Sequence, residues 1–484
     1  MERYNLVVIG GGAGGLTVAA IAAILGARVA LLEKERMGGD CLNYGCVPSK
    51  ALLKAAKVAH TISRAADYGL TAVPAPPHQD LKGVMDYVRS VQARIAIHDS
   101  VERFQSLGVE VFLGGGRLRS PHEVEVLDTG QILWGRHLVL ATGSRPKIPD
   151  VRGLEDVGYL TNESIFGCAT LPESLLVAGG GPIGTELGQA FARLGSRVTV
   201  ASATEHILPR EDGDVAELLV RQFQREGIAI WDRCRVVWAG QHNGKKRVGL
   251  QTPQGERTID VDEILVAAGR QANTKGLGLE HVGVDFDERG VQVDRRCRTN
   301  IPSIWAVGDV AGAPYFSHWA SHQARVVVRN ALLPGTTTYD EMTLPWTTFT
   351  QPEVARVGLS EAEARARGVS YDMYRVPFTE NDRAICDGES EGFAKVLTRK
   401  GTGKIIGAAI VHRQAGELLA ELTIAKKYGI PLSKLASVIH VYPTLSEVHR
   451  SLAEAYLLRH TTPKARWFLA PIFTWLRRGT RSGR

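Results

Sequence analysis

Two stretches of the chain repeat one order of apolar and polar positions. Residues 5–33 open with the apolar run Leu6–Ile9, pass a glycine turn into the largely apolar segment Leu16–Leu25, and end with the apolar run Val29–Leu32. Residues 174–202 repeat this order. Short apolar runs next to glycines favour buried strands, and the longer segment favours a helix. The pattern therefore predicts two strand–turn–helix–strand units and an α/β fold class.

Both turns carry the spacing G-x-G-x-x-G. Glycines at these places let the backbone approach a pyrophosphate, which then lies at the positive end of the following helix. Two such turns predict two dinucleotide sites, and two dinucleotides on one chain suggest cofactors that exchange electrons. The glycines are Gly10, Gly12 and Gly15 in the first turn and Gly179, Gly181 and Gly184 in the second.

The two units differ where the second strand ends. Glu33 follows the first unit's second strand, at the place where a carboxylate holds a ribose hydroxyl. Ser202 stands at the equivalent place of the second unit, which has neither the carboxylate that favours NAD nor an adjacent arginine for the 2′-phosphate of NADP. His206 and Arg210 either reach such a phosphate or belong to a solvated loop. The choice between NAD and NADP stays open.

Three more apolar runs predict strands that end in small residues. They occupy 138–146, 263–270 and 303–312, and the first two are candidates for closing a nucleotide site. The third ends in Gly308–Asp309, where the acid either bonds a cofactor hydroxyl or caps the next helix. Further on, residues 391–419 predict two strands joined by a glycine-containing turn and followed by a helix.

Composition and charge exclude several classes of protein. The 484 residues are 44% hydrophobic and 23% charged, as in globular proteins, and suffice for about three domains. No run of eighteen apolar residues predicts a membrane span, and no secretion signal is recognised, so a cytoplasmic protein is expected. The net charge is +7, of which residues 461–484 contribute +6, leaving 7 − 6 = +1 elsewhere. Nucleic-acid binding by the body of the protein is therefore not expected.

Two of the six cysteines lie five residues apart in "GGDCLNYGCVPSK", residues 38–50. Pro48 suits the first turn of a helix, which places Cys46 at a helix N-terminus, where the dipole stabilises a thiolate. Asp40 acts the opposite way on Cys41. A zinc site needs about four ligands, and no second close pair of cysteines or histidines is present, so no metal centre is predicted. The pair is interpreted as a redox-active disulfide.

This stretch resembles the active-site signature of the FAD-dependent pyridine nucleotide-disulfide oxidoreductases, which include dihydrolipoyl dehydrogenase, glutathione reductase and mercuric reductase. The similarity extends over residues 4 to about 455. It implies that Cys46 touches the flavin, that Cys41 attacks the substrate, and that Lys50 lies near the flavin and pairs with Glu186. It implies FAD at Gly10, Gly12, Gly15, Glu33, Gly39, Lys50, Gly116, Thr142, Gly143, Ser144, Asp309 and Ser317, and NAD(P)H at Gly179, Gly181, Gly184, Ser202, Ala267, Gly269 and Arg270.

The C-terminal segment "VIHVYPTLSEVHR", 438–450, departs from the family pattern. The family usually has a histidine directly before Pro-Thr, paired with a downstream glutamate, and uses it across the dimer interface to protonate the leaving thiol. Here Tyr442 has that place, Glu447 is kept, and His440 is expected on the same face as Tyr442 of a strand-like backbone. A histidine titrates near pH ~6.5 and a tyrosine near ~10, so efficient turnover of lipoamide or glutathione is not expected. His440 acts as a substitute acid or as a packing residue.

The sequence fits best a mercuric reductase-like enzyme that passes electrons to a disulfide, a metal ion or another small acceptor. Mercuric reductases hand the metal over through a C-terminal cysteine pair, whereas this chain has no cysteine after Cys386. Dihydrolipoyl dehydrogenase is the alternative, and a flavin-bearing scaffold docked to a membrane or a partner is an alternative of another class.

The predicted organisation has two Rossmann-like domains and a C-terminal α+β dimerisation domain that makes a homodimer. The boundaries are 1–150 and 273–342 for FAD binding, 151–272 for NAD(P) binding, 343–460 for dimerisation and 461–484 for a basic aromatic tail. Residues 464–478 of the tail either contact a membrane surface or pack on the dimer or form a disordered end.

Overall fold

The computed structural model describes residues 2–71, 80–460 and 462–478. The chain forms two units, one made of Met1–Pro209 and Phe223–Asp340 and the other of Arg210–Gln222 and Glu341–Arg484. The sequence prediction assigns 210–222 to the second nucleotide domain, whereas these residues group here with the C-terminal unit. Buried ion pairs explain the difference, because the Lys395 ammonium lies 3.0 Å from Asp212 and 2.9 Å from Asp214 within the C-terminal unit.

The strands follow one another along the chain from the N-terminus. They are β1 Glu2–Ile9, β2 Val29–Glu33, β3 Val109–Leu113, β4 Gly116–Ser120, β5 Glu123–Val126, β6 Ile132–Leu140, β7 Ser144–Pro146, β8 Ser174–Ala178, β9 Arg197–Ala201, β10 Ala229–Trp231, β11 Arg235–His242, β12 Lys245–Thr252, β13 Gly255–Val261, β14 Glu263–Val266, β15 Arg270–Ala272, β16 Phe286–Asp287, β17 Gly290–Val291, β18 Ile304–Ala306, β19 Pro345–Thr348, β20 Glu353–Gly358, β21 Tyr371–Pro377, β22 Phe393–Arg399 and β23 Ile405–His412.

The α-helices are interleaved with these strands. They are α1 Ala13–Ile24, α2 Gly39–Asn43, α3 Cys46–Ser63, α4 Leu81–Ala96, α5 Val101–Ser106, α6 Leu154–Val157, α7 Pro182–Leu194, α8 Gly213–Arg225, α9 Leu279–Val282, α10 Ser317–Leu332, α11 Glu361–Ala366, α12 Asp382–Cys386, α13 Ala415–Lys427, α14 Leu432–Leu435, α15 Glu447–His460 and α16 Thr462–Arg478. The fold is α/β, as the sequence predicts.

The first sheet of the N-terminal unit has the order β3-β2-β1-β6-β5-β4, with β18 also paired to β6. Its strands β3, β2, β1, β6 and β18 are parallel. Parallel strands place their carboxyl ends at one edge of the sheet, where ligands bind in open α/β folds. This edge therefore gathers the residues that follow β1, β2, β6 and β18.

The second nucleotide unit repeats the arrangement in a smaller sheet of order β10-β9-β8-β14, all parallel. The strands β8 and β9 flank α7, as β1 and β2 flank α1. Both predicted strand–turn–helix–strand units are confirmed. The helix α1 begins three residues before the predicted start at Leu16, because the last glycines of the motif already form the first turn of the helix.

The C-terminal unit is built on an antiparallel sheet of order β19-β20-β23-β22-β21. The predicted hairpin and helix of 391–419 are β22, β23 and α13. The core of this unit packs apolar side chains of the sheet against α13 and α15, among them Ile410, Leu422 and Leu452. In the part of the chain that the structure describes, no helix is long and apolar enough to cross a membrane.

Candidate active site

The first glycine turn has space only for glycine at its two ends. Gly10 has φ +111°, and a Cβ there would lie 2.3 Å from the carbonyl oxygen of Ala141. A Cβ on Gly15 would lie 1.8 Å from the carbonyl oxygen of Gly10. The helix α1 follows Gly12, which provides no side-chain cap, so its first N–H groups point toward any ligand at this end.

Glu33 ends β2 beside this turn and is buried. Its carboxylate accepts hydrogen bonds from the backbone N–H groups of Gly11 and Glu35, each 2.7 Å long. Its own carbonyl accepts from Gly114, which brings the β3–β4 turn and Gly116 to the same edge. The glycine cradle, the uncapped helix and this acid fit the adenosine and pyrophosphate of FAD. In addition, Gly39 lies against the turn, since a Cβ there would be 2.7 Å from the Gly12 Cα.

The residues after β6 and β18 are joined by hydrogen bonds. Ser144 donates from Oγ to Asp309 Oδ2 over 2.5 Å, and Thr142 donates to the carbonyl of Asn273 over 2.8 Å, next to Gly143. Burial raises the pKa of Asp309, and the hydrogen bond from Ser144 opposes this shift. These contacts hold Asp309 at the carboxyl edge of the sheet, at the place the resemblance implies for a flavin contact.

Arg270, which the resemblance implies for NAD(P)H, makes several contacts within the protein. Its Nε lies 2.7 Å from Ser144 Oγ, which accepts its hydrogen bond, and a terminal nitrogen lies 3.2 Å from Asp40 Oδ1. Asp309 is 3.6 Å away. Two acidic side chains draw the guanidinium toward the residues expected around FAD, and Arg270 thereby connects Asp309 with the neighbour of Cys41.

The second glycine turn repeats the geometry of the first. A Cβ on Gly179 would lie 2.2 Å from the Ala267 carbonyl oxygen, and one on Gly184 would lie 2.0 Å from the Gly179 carbonyl oxygen. Around Gly181, by contrast, nothing lies within 4 Å of the Cβ position, and the helix α7 follows it without a side-chain cap. Gly269 is open in the same way. This arrangement fits a second dinucleotide on the N-terminus of α7.

Ser202 follows β9 beside this turn and is buried. Its hydroxyl shares a hydrogen bond of 2.9 Å with the Thr204 hydroxyl. His206 Nδ1 lies 2.7 Å from the Ile207 carbonyl oxygen, and the Arg210 guanidinium stacks over the Trp346 ring at 4.7 Å within the C-terminal unit. The His206 and Arg210 side chains thus both have partners within the protein. The choice between NAD and NADP stays open.

The cysteine pair lies at the start of two helices. Cys41 is in α2 and half-buried, Cys46 is the first residue of α3 and exposed, and both are free thiols. The hydrogen bond from the Cys41 thiol lowers the pKa of Cys46 to about 6, with Ser317 and Lys50 acting in the same direction. The pKa of Cys41 is raised by the same hydrogen bond and by burial. Cys46 is therefore the thiolate of the pair near neutral pH.

Two contacts support the helix that carries Cys46. Lys50 Nζ, one turn after Cys46 on α3, donates to Glu186 Oε2 on α7 over 2.8 Å, which is the ion pair that the resemblance implies. The hydroxyl of Ser317, the first residue of α10, lies 3.5 Å from Cys46 Sγ. Sequence reasoning placed Ser317 with the cofactor and did not predict its contact with sulfur, because α10 is far from the cysteines along the chain.

In the C-terminal unit, Tyr442 and His440 do not share a face, and the expectation that they do was wrong. Tyr442 is 67% exposed, whereas the His440 side chain is 6% exposed. The segment is not a strand, and the Glu421 carboxylate on α13 draws His440 inward, with its Nε2 3.2 Å from both carboxylate oxygens.

Tyr442 has a partner that the sequence pattern did not indicate. Its hydroxyl donates to Asp382 Oδ2 on α12 over 2.9 Å, and this hydrogen bond raises the pKa of Tyr442. Glu447, expected to pair with the residue at 442, instead accepts a hydrogen bond from Arg450. The tyrosine thus holds its proton more firmly than an ordinary phenol does.

Comparison with known proteins places these sites in one family. The profile described as "Pyridine nucleotide-disulphide oxidoreductase" matches residues 4–324, and the dimerisation domain of the same family matches 344–453. The chain is similar to a dihydrolipoyl dehydrogenase of Thermus scotoductus, with 38% identity over 94% of this chain and 98% of the relative. It is similar to a mercuric reductase of Streptomyces lividans, with 34% identity over 94% and 96%.

Solved structures of the same architecture agree with this assignment. LpdA from Mycobacterium tuberculosis has a TM-score of 0.84 and 28% identity, covering 94% of this chain and all of that one. The HOCl-induced flavoprotein disulfide reductase RclA from Escherichia coli has a TM-score of 0.83 and 27% identity, covering 93% and 99%.

Proposed function

Because the chain belongs to the pyridine nucleotide-disulphide oxidoreductase family, whose members use FAD and a pyridine nucleotide, we propose that it oxidises NAD(P)H and stores two electrons in the Cys41–Cys46 pair. Two electrons and one proton convert the disulfide into the Cys41 thiol and the Cys46 thiolate, and the hydride of the nicotinamide supplies both. The pair then passes the electrons to a disulfide, a metal ion or another small acceptor. Bound FAD supplies the two-electron carrier between nicotinamide and sulfur.

The two cysteines have separate roles in this proposal. Cys46 holds negative charge near neutral pH, because of its hydrogen bond from Cys41 and its place at the start of α3. Cys41 holds its proton and attacks the acceptor once it loses that proton. Lys50, held by Glu186, keeps a positive charge near the pair. These features support a thiolate at Cys46, and the attack by Cys41 is what the family resemblance implies.

One observation carries the choice of acceptor. The place of the family's proton-donating histidine is taken by Tyr442, whose hydroxyl is bonded to Asp382, while the nearby His440 is buried on Glu421. General acid catalysis typically contributes about 10²–10⁴-fold when the acid titrates near the working pH. Tyr442 holds its proton more firmly than an ordinary phenol, and His440 is buried against Glu421, so we propose an acceptor other than lipoamide or glutathione. A Cu(II) complex of the similar RclA favours a metal ion among the remaining classes.

Dihydrolipoyl dehydrogenase is the second candidate, since most of the similar relatives carry that name. Steady-state rates with dihydrolipoamide separate the two. We expect a low rate for the wild type and an increase of at least ~10-fold for Tyr442→His, with a pH limb near ~6.5. A wild-type rate that matches a histidine-bearing homologue and does not rise in Tyr442→His would favour dihydrolipoyl dehydrogenase.

The cysteine step itself is tested by anaerobic titration of the FAD-loaded enzyme with NADH and, separately, NADPH. We expect a long-wavelength band from the Cys46 thiolate beside the flavin after two electrons per subunit. The band is absent in Cys46→Ser. In Cys41→Ser it is present before the titration and is lost as two electrons reduce the flavin, because no disulfide takes them up. Its absence from the wild type with both nucleotides contradicts the proposal, and the more effective nucleotide identifies the physiological donor.

We propose further that the enzyme is a homodimer in which Tyr442 serves the cysteines of the partner, as the dimerisation domain of the family supports.

We also propose that α16 contacts a membrane surface. Its described side chains are exposed, and Trp467, Phe468, Phe473 and Trp475 are aromatic. Tryptophans next to arginines are typical of helices that lie in the lipid interface. Of the predicted segment 464–478, the side chains of 464–466 and 478 lie outside the described residues.

A further inference from the structure

Three ligand-type side chains meet in the C-terminal unit. Glu421 lies on α13, His449 on α15 and His440 in the segment between α14 and α15. One ligand atom from each lies within 4.8 Å of the others. The two histidines are almost completely buried, with 1% of His449 and 6% of His440 exposed, and Glu421 is 30% exposed.

Three ring nitrogens of the two histidines lack hydrogen bonds. His449 Nδ1, His449 Nε2 and His440 Nδ1 are buried without a hydrogen-bond partner. His449 Nδ1 forms a close ion pair with Glu421 Oε2 at 2.8 Å, without the alignment of a regular hydrogen bond. Buried polar groups without a partner are rare and costly. A metal ion beside Glu421 would give His449 Nδ1 a partner, whereas His449 Nε2 and His440 Nδ1, the other nitrogens of the two rings, would not bind that ion.

The two nitrogen–oxygen separations at Glu421 can be spanned by a small transition-metal ion. His449 Nδ1 and His440 Nε2 lie 2.8 and 3.2 Å from Glu421 oxygens. For metal–ligand bonds of about 2.0–2.1 Å, such separations correspond to coordination angles of roughly 90–100°. Two imidazoles and one carboxylate suit Zn²⁺, which needs one further ligand that water can supply.

A second group of ligating side chains in this unit is already neutralised. Asp212, Asp214 and Glu361 surround the Lys395 ammonium at 2.9–3.0 Å, so a cation already occupies the centre of that group. Glu421, His440 and His449 have no such ammonium among their described partners.

We propose that Glu421, His440 and His449 bind one Zn²⁺ per chain. The ion would fix the segment that contains Tyr442, because His440 lies two residues before Tyr442 while the other ligands belong to α13 and α15. The proposal is independent of the electron transfer proposed above, since it involves neither the cysteines nor the nucleotides.

The test is equilibrium dialysis of the FAD-loaded, full-length enzyme against Zn²⁺, followed by measurement of the metal content. The Cys41→Ser/Cys46→Ser variant is used as the background, because thiols bind Zn²⁺ themselves. We expect close to one Zn²⁺ per chain at ~10 μM free Zn²⁺. Adding His449→Gln or Glu421→Gln weakens binding by at least ~10-fold, a typical effect of losing groups that hold a metal.

His281→Gln is the matched control, because His281 is an exposed histidine of the N-terminal unit, and it should keep full Zn²⁺ binding. The background variant retaining no Zn²⁺, or His449→Gln and Glu421→Gln both retaining as much as the background, overturns the proposal. If one substitution lowers the FAD content and thus signals misfolding, the other substitution and the background stoichiometry decide.

Discussion

At the scale of single residues, the reactivity of the cysteine pair depends on which sulfur donates a hydrogen bond. Cys46 accepts from Cys41 and begins a helix, so its charge is stabilised twice. Cys41 donates that hydrogen bond, is itself partly buried and lies beside Asp40, and all three factors raise its pKa. The hydrogen bond and the surroundings of the two thiols therefore give each a different protonation state at neutral pH.

We predict that alkylation of Cys46 by iodoacetamide in the reduced enzyme rises with pH around a midpoint of about 6. Only the thiolate reacts, so removing the donor should move the midpoint up toward the ordinary value of ~8.5. Cys41→Ala removes the donor, and Cys41→Ser, the matched control, keeps an O–H donor and a midpoint closer to the wild type. Mass spectrometry of the labelled peptide measures the rates. Equal midpoints in the two variants would show that this hydrogen bond is not the cause.

At the scale of elements, the glycines of the two turns serve two different purposes. Gly10, Gly15, Gly179 and Gly184 are required by the protein itself, because a Cβ at each would lie within 2.3 Å of a backbone carbonyl oxygen. Gly181 is required by no protein atom within 4 Å. This position is therefore open to the dinucleotide that we propose.

We predict that Gly181→Ala folds, binds FAD and raises the KM for NAD(P)H by ~10-fold or more, since its methyl group would stand where the pyrophosphate approaches. Gly184→Ala should instead lower stability by several kcal/mol, as expected for a clash in a packed turn. Thermal unfolding and steady-state kinetics measure the two effects, with Gly213→Ala, another open position, as the control. An unchanged KM in Gly181→Ala would place the nucleotide elsewhere.

The C-terminal helix α16 has no buried residue among those whose side chains are described. We predict that full-length protein co-sediments with vesicles containing anionic lipid and that a 1–460 truncation does not, because aromatic side chains insert at the interface and arginines bind anionic headgroups. Trp467→Ser/Trp475→Ser should reduce the bound fraction severalfold. Equal sedimentation of the full-length and truncated proteins would contradict membrane contact.

At the scale of the whole molecule, the proposed chemistry needs two chains. Tyr442, which we propose serves the partner's cysteines, belongs to the C-terminal unit, whose family profile is that of a dimerisation domain, while the cysteines belong to the N-terminal unit. We predict a mass of twice 52.5 kDa by light scattering at micromolar concentration. A monomer with full turnover would contradict the use of Tyr442 across an interface.

Local patterns in the sequence were sufficient for the two nucleotide units, the hairpin and helix of the C-terminal unit, and the place of Cys46 at the start of α3. Each of these depends on residues within a few positions of one another, where the periods of strands and helices and the special conformations of glycine act directly. The family resemblance added the pairing of Lys50 with Glu186, which no local pattern could provide.

The tertiary structure alone decided which distant side chains became partners. It brought the Arg270 guanidinium close to Asp40 and Asp309. It placed the Tyr442 hydroxyl in a hydrogen bond with Asp382, and it buried His440 next to Glu421 and His449. The physical reason is that hydrogen bonds and ion pairs form between groups that the packing of helices and strands brings together, and their separation along the chain carries no signal of this. The sequence by itself determined the two nucleotide turns and the cysteine helix, whereas packing determined the electrostatic partners that set the chemistry of each side chain.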